Sequence, residues 1–323
     1  MRSLITISKE VSQAMRSGHP VVALESAVIT SGMPRTPLDR QPRCPASGWN
    51  EDQPINLEIA RLMERTVRAH GAIPATVAVF DGQLWVGLDD AQLDRLAGDP
   101  EAGKVSAGGL AEKLRSGQAA GTTVSATLVA CHRVGPIRVF ATGGIGGMHR
   151  NWQTHPDVSG DLEQLSRTQT CIVCAGAKSI LDISATLERM ETLNIPVIGY
   201  QTDSFPRFHS LGDDSLPVPL RLDSVDKIAG VCQTHWTDLG QASGVLLANP
   251  IAAEFSLEPD ALESAILRVE QSARREGVSG PGLTPYLLAG LNEETAGLAL
   301  EANIALLAGN ASLAALLAIA LTR

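Results

Sequence analysis

A lysine set among small and apolar residues is the first feature of this sequence that bears on chemistry. Lys178 lies in CAGAKSILD, straight after the apolar run CIVC. Read as a strand-to-helix junction, the position offers poor hydration and a helix N-terminus, and both disfavour the ammonium form. A neutral amine there can attack a carbonyl carbon and form a Schiff base; the plainer reading is a snorkelling side chain or an ion pair. Glu25 ends the run VVAL, so it is either a paired core acid or a general acid with a raised pKa. Asp157 and Asp161 stand four apart in DVSGDL with Ser159 between them. They either cap a helix, with Ser159 or Asp161 as N-cap and Glu163 in the first turn, or offer hard ligands to a Mg²⁺ or Mn²⁺ held largely by water. The stretch GGIGGMHR, residues 143–150, is neither a dinucleotide fingerprint nor a Walker loop. Its glycines admit close backbone approach to a ligand, and His149 and Arg150 suit an anion.

Such groups must be held by a scaffold, and the hydrophobic pattern supplies one. Short apolar runs at Val21–Glu25, Thr76–Phe80, Arg138–Thr142, Cys171–Ala175, Pro196–Tyr200 and Gly244–Ala248 read as strands covered on both faces. Amphipathic stretches lie between them: Leu57–Ala69, Gly160–Arg167, Ser179–Leu193, Ser224–Leu239, Pro259–Glu276 and Glu293–Leu321. This alternation predicts a single α/β domain over 1–323, a three-layer α/β/α sandwich on a mostly parallel mixed sheet. Functional groups then gather beyond the carboxyl ends of the strands, where Glu25, the glycine-rich stretch and Lys178 all fall. Arg35–Pro54 holds four prolines and no periodicity, and reads as a long surface loop or insertion: a decoration, or a lid over a site.

Composition excludes several function classes. Hydrophobic residues make up 44% and charged residues 19% of 323, a globular balance. A net charge of −9 and 3% aromatics argue against binding a nucleic-acid polymer, which needs a basic surface and stacking rings. The N-terminus lacks a signal-peptide pattern, and the most apolar stretch, Ala311–Leu321, is too short to span a bilayer. Five cysteines make no disulfide framework. Cys171 and Cys174 point to opposite faces of one strand. A reducing cytoplasm fits. Lysine is scarce, with five against twenty-one arginines, consistent with amines kept for a purpose.

Seven segments in register, VALESAVITSGMP, ATGGIGGMHR, DVSGDL, CAGAKSILD, IGYQT, RLDS and ANPI, resemble the pseudouridine-5′-phosphate glycosidase family and the related indigoidine-synthase A-like proteins. The resemblance implies a C–C glycosidase that reversibly cleaves pseudouridine 5′-phosphate to uracil and ribose 5-phosphate. It implies Lys178 as the nucleophile on the sugar anomeric carbon, Glu25 as proton donor, and Asp157 as ligand of a divalent metal, usually Mn²⁺. Ser159, Gly160 and Asp161 would contact substrate, with Lys104 of the KVS motif and Val124 of the TTV motif. His149 and Asn303 map to further substrate contacts. Asp161 would also shuttle a proton to or from the base. The implied partner is a small C-nucleoside phosphate, and the implied assembly is a homo-oligomer, a trimer.

The sequence departs from the family in three places. Lys104-Val105-Ser106 is followed by Ala107-Gly108-Gly109 where the family has Arg-Arg-Asp, Ser31 stands where it has His, and the 35–54 insertion follows at once. Arg35, Arg40 and Arg43 in that insertion are candidates to replace the lost charge. An altered substrate, either another C-nucleoside or an unphosphorylated one, is the alternative these departures raise. Two rival functions stay in view, a Schiff-base aldolase or lyase on a sugar phosphate, and a metabolite-binding protein without catalysis.

Overall fold

The computed structural model describes residues 4–38, 40–44, 48–135, 137–154, 156–278 and 282–323. Among them, eleven strands form one mixed sheet. Its centre is parallel, running in space as Ile73–Phe80, Val21–Leu24, Val139–Ala141, Cys171–Cys174, Val245–Ala248, Val197–Tyr200 and Leu220–Leu222. At the other end Gln83–Val86 and Ala120–Thr122 run antiparallel to Ile73–Phe80, and Ile5–Ile7 and Gly103–Val105 extend the edge. The six expected strands are therefore present within two or three residues of their predicted bounds.

Strand residues alternate between two cores, which gives the three layers. Val21, Ala23, Ile172 and Cys174 face one, with helices Lys9–Arg16, Val124–Val134 and Pro259–Glu276 packed over it. Val22, Leu24, Cys171 and Val173 face the other, under helices Ile55–Ala69, Val225–Gln233 and Leu298–Ala320. Cys171 and Cys174 thus point apart, and all five cysteines are free and buried.

Helix boundaries are corrected in two places. The stretch expected as one helix over Glu293–Leu321 is two, Leu283–Glu294 and Leu298–Ala320, broken where Ala296 and Gly297 take φ of 50° and 84°. The second is 23 residues long and apolar enough by composition to cross a membrane, but most of it is buried in this protein's own core. It is apolar all round because other elements enclose it. The helix expected from Ser179 starts at Ile183, capped by the Asp182 carboxylate accepting from Ala185 N. Between it and the sheet, Leu181–Asp182 pairs antiparallel with Met148–His149. Lys178 therefore sits in a loop and not at a helix N-terminus.

The proline-rich segment is docked, not loose. Residues 39 and 45–47 of it lie outside the described residues. Its base is closed by a bridge between Pro37 and Pro54, and Cys44 and Trp49 are buried in the core under the last helix. The three arginines expected as substitutes for lost charge are engaged elsewhere. Arg35 donates to the carbonyls of Thr30, Ala97, Asp99 and Ala102. Arg40 pairs at 3.1 Å with the buried Glu301 of helix Leu298–Ala320, whose other oxygen accepts from Arg43 N. Arg43 stacks over Phe255.

Candidate active site

Strand register puts the first two site residues side by side. Leu24 pairs with Ala141, so the residues that follow, Glu25 and Thr142, leave the sheet as neighbours. Thr142 Oγ1 donates to Glu25 Oε1. The next pair of strands continues as a ladder past the sheet edge. Thr142 N donates to Val173 O, Ala175 N to Gly143 O, Ile145 N to Gly176 O and Lys178 N to Ile145 O. This ladder carries Lys178 alongside the glycine-rich turn. On the opposite side, Lys104 pairs with Gly121 in the edge strands, and Thr122 N donates to Ser26 Oγ, which draws Thr123 and Val124 in beside Glu25.

The ten residues to which the family resemblance assigns a role line one cavity of about 580 Å³: Glu25, Lys104, Val124, His149, Asp157, Ser159, Gly160, Asp161, Lys178 and Asn303. Asn303 comes from the final helix. Arg150 does not line it; the guanidinium turns away to a two-pronged bond with Glu263 at 2.6 and 2.9 Å and donates to Ser179 O. Among the described residues no arginine lines the cavity; its cations are Lys104, Lys113 and Lys178, with His149 beside them.

Asp161 is the hub that holds these parts in register. Its Oδ1 accepts from Ser125 N at 2.8 Å and its Oδ2 from Gly146 N at 2.9 Å. The first bond satisfies an open N–H in the first turn of helix Val124–Val134, whose N-cap side chain accepts from none of that turn's backbone N–H groups. Ser159 is the N-cap of its own short helix and accepts from Asp161 N. The glycines of the turn are required by packing against the protein. A Cβ on Gly146 would lie 2.4 Å from Ser159 Oγ, and one on Gly144 2.5 Å from the Phe208 ring. Asp161→Asn turns an NH₂ group toward one of two backbone N–H donors. It is expected to cost on the order of 1–3 kcal/mol of stability, the range for a buried polar group left without its partner, and to lower turnover. Thermal denaturation alongside activity measures both.

The charges in the cavity shift one another. Burial raises the Glu25 carboxyl to about 7, against the opposing pull of Lys178 and the Thr142 hydroxyl. Glu25 is thus poised to give up a proton near neutrality. Lys104 is held below the usual lysine range by burial and then by the charge of Lys178, with Asp161, Glu25 and Asp157 opposing. His149 is held below its ordinary value by burial, Lys178 and Lys104, against the favourable Asp157.

Asp157 is the residue open to a metal. Its side chain is 46% exposed, with His149 Nε2 at 3.9 Å. No group of three His, Cys, Asp or Glu side chains converges among the described residues. One accessible carboxylate at a cavity wall fits a hard divalent ion that keeps most of its water, and does not fit a cation caged by protein.

Several contributors were not singled out in the sequence. Thr142 is the partner of Glu25, Phe208 roofs the glycine turn, and Asn310 holds the exit of strand Val139–Ala141 by donating to Thr142 O at 2.8 Å while accepting from Asn249. Thr142 was detectable as the first polar residue after its strand; Phe208 and Asn310 carry no local signal.

The family profile described as indigoidine synthase A like protein matches residues 50–320. The pseudouridine-5′-phosphate glycosidase of Streptomyces griseus is 44% identical over 97% of this chain and 91% of its own length. That of Sorangium cellulosum is 45% identical over 98% and 94%. Among solved structures, a prealnumycin C-glycosynthase in complex with ribulose 5-phosphate superposes with a TM-score of 0.85 at 35% identity, covering 100% of this chain and 98% of the other. An indigoidine synthase A-like protein from Thermotoga maritima gives 0.84 at 31%, with the same coverage.

Proposed function

The chain belongs to the indigoidine synthase A-like family, and on that premise we propose that it cleaves the carbon–carbon glycosidic bond of pseudouridine 5′-phosphate, giving uracil and ribose 5-phosphate, with Lys178 as nucleophile. The observation that carries this reading is the single cavity where an amine, Lys178, meets a carboxyl whose pKa lies near 7, Glu25.

The bond to be broken has no leaving-group oxygen, so the two-carboxylate scheme of ordinary glycosidases does not transfer. Lys178 Nζ bonds to the sugar C1 as the C1–O bond to the ring oxygen breaks, and Glu25 gives that oxygen its proton. The nitrogen then sheds a proton and the base carbon takes one up, the electrons of the C–C bond return to the uracil ring, and the freed nitrogen lone pair closes a C=N bond. Water hydrolyses this imine, releasing ribose 5-phosphate and restoring the amine. No oxidant or reductant is needed. Lys104, Val124, Ser159, Gly160, His149 and Asn303 are assigned to substrate. Asp161, with each oxygen already accepting a backbone N–H, serves best as the anchor that sets their spacing.

Asp157, with His149 beside it, would hold a Mn²⁺ or Mg²⁺. When bound, such an ion supplies positive charge against an anionic substrate. Chelation is expected to raise KM severalfold, with recovery on adding Mn²⁺; steady-state kinetics before and after exhaustive EDTA treatment checks this. A cytoplasmic homotrimer is the accompanying proposal, and light scattering reads its mass.

With Gly109 at the cavity and Arg35, Arg40 and Arg43 committed elsewhere, the lysines are the cations left for the phosphate, with His149 beside them as a hydrogen-bonding group. Uracil release from pseudouridine 5′-phosphate and from pseudouridine, compared at equal concentration, tests the reading. The phosphorylated substrate should be strongly preferred; equal or reversed turnover overturns the assignment of a phosphate ester as substrate.

A further inference from the structure

Lys178 sits on a loop whose own hydrogen bonds hold it lightly: its N–H donates to Ile145 O, and its carbonyl accepts from Leu181 N. The remaining support comes from a second segment, Phe205–Ser210, wrapped behind it. Phe208 N donates to Ala175 O at 2.9 Å, and Gly176 bridges Arg207. The contact is close, since a Cβ on Gly176 would lie 2.2 Å from Pro206 O. Phe208 takes a φ of 61°, an uncommon conformation for a bulky residue, and its ring lies against the glycine turn on the cavity side. The residue after it, His209, is 1% exposed, stacks edge-on to Phe208, and places Nδ1 3.0 Å from Ser179 Oγ. Its backbone carbonyl accepts from Leu257 N at 2.8 Å.

Ser179, the residue next to Lys178, is thereby gripped twice. His209 holds its hydroxyl, and Arg150 donates to its carbonyl at 3.3 Å while Glu263 and Glu270 hold the guanidinium. Burial keeps the His209 imidazole down at about 3, so it is neutral throughout the working range and serves as a fixed hydrogen-bond partner, not a proton relay. A long lysine stem has several rotamers to lose, and an amine displaced by about 1 Å from its attack position loses roughly 10² in rate.

We propose that His209 is a positioning residue for the Lys178 amine, acting through its hydrogen bond to Ser179. The proposal rests on the reading of Lys178 as nucleophile. It differs from a merely structural role in where the damage appears: adduct formation and kcat fall while substrate binding does not.

The test compares the parent protein with His209→Leu, His209→Asn, Ser179→Ala and the Leu/Ala double variant. The readouts are the rate of borohydride-trapped adduct formation with ribose 5-phosphate, kcat and KM for pseudouridine 5′-phosphate, and thermal midpoint. His209→Leu and Ser179→Ala should each lower trapping and kcat by about tenfold to a hundredfold, with KM within about twofold. The double variant should be no worse than the poorer single one, as for two ends of one interaction. Asn, whose amide falls near the Nδ1 position, should restore most of the rate. If His209→Leu does not fold, Ser179→Ala decides alone. A folded Ser179→Ala with parental kcat and trapping rate overturns the positioning role. A parent protein that traps no adduct overturns instead the nucleophile reading on which the role rests.

Discussion

Replacing Lys178 by alanine is expected to abolish turnover of pseudouridine 5′-phosphate, by roughly 10⁴-fold or more, the scale seen when a covalent nucleophile is removed. The substitution leaves the ladder intact, because the backbone N–H that donates to Ile145 and the carbonyl that accepts from Leu181 remain. Fold and thermal midpoint should therefore stay close to the parent. The discriminating measurement is intact-mass spectrometry after borohydride reduction with ribose 5-phosphate: one sugar-phosphate adduct on the parent and none on the variant. Lys104→Ala is the control. Lys104 also lines the cavity, so its loss should weaken substrate binding but leave the adduct. An adduct that persists in Lys178→Ala and disappears in Lys104→Ala would reassign the nucleophile to the neighbouring amine.

Glu25→Gln should reduce kcat by about 10² to 10⁴, the usual contribution of a positioned proton donor. The parent's rate should also fall above pH 7, because Glu25 must carry its proton at the start of each cycle and its carboxyl lies at about 7. The glutamine variant should lose that limb of the profile; if the limb persists, another group is the donor. The same shift has a consequence for stability with the sign fixed by linkage. The folded carboxyl holds its proton more tightly than the ordinary value of 4.5, so its stabilising contribution is complete below 4.5 and is lost as pH rises through about 7. Glutamine does not ionise. The thermal midpoint of Glu25→Gln relative to the parent should therefore rise from acid to pH 8.

The strands around Glu25 and Lys178 are legible in the sequence because they are buried on both faces and so appear as unbroken apolar runs. Val21–Leu24 and Cys171–Cys174 are such runs, and the residues that follow them mark the functional edge. The edge strands Gly103–Val105 and Ala120–Thr122 are not legible: three residues long and holding glycine, they are set by pairing, Ala120–Thr122 with Ile73–Phe80 and Gly103–Val105 with Ala120–Thr122, and not by their own pattern. Lys104 was consequently placed by motif resemblance alone. The helix after Lys178 starts later than the amphipathic stretch from Ser179 predicts: the Ser179 hydroxyl goes to His209, 30 residues away, and Asp182 does the capping. The charge substitution expected from the proline-rich segment failed for a similar reason. The number of arginines was plain, but their carbonyl and carboxylate partners lie in distant parts of the chain.

The division between lysine and arginine also has a consequence for how this protein can be addressed chemically. Three of its five lysines line one cavity, and the other two, Lys9 and Lys227, stand exposed on separate helices. Arginines, by contrast, clasp carbonyls and carboxylates in the scaffold. An aldehyde that carries a phosphate would meet both its covalent partner and its counter-charge in the same cavity. Selective inhibition therefore calls for a small anionic carbonyl compound, and a guanidinium-directed reagent would loosen the scaffold before it reached the chemistry.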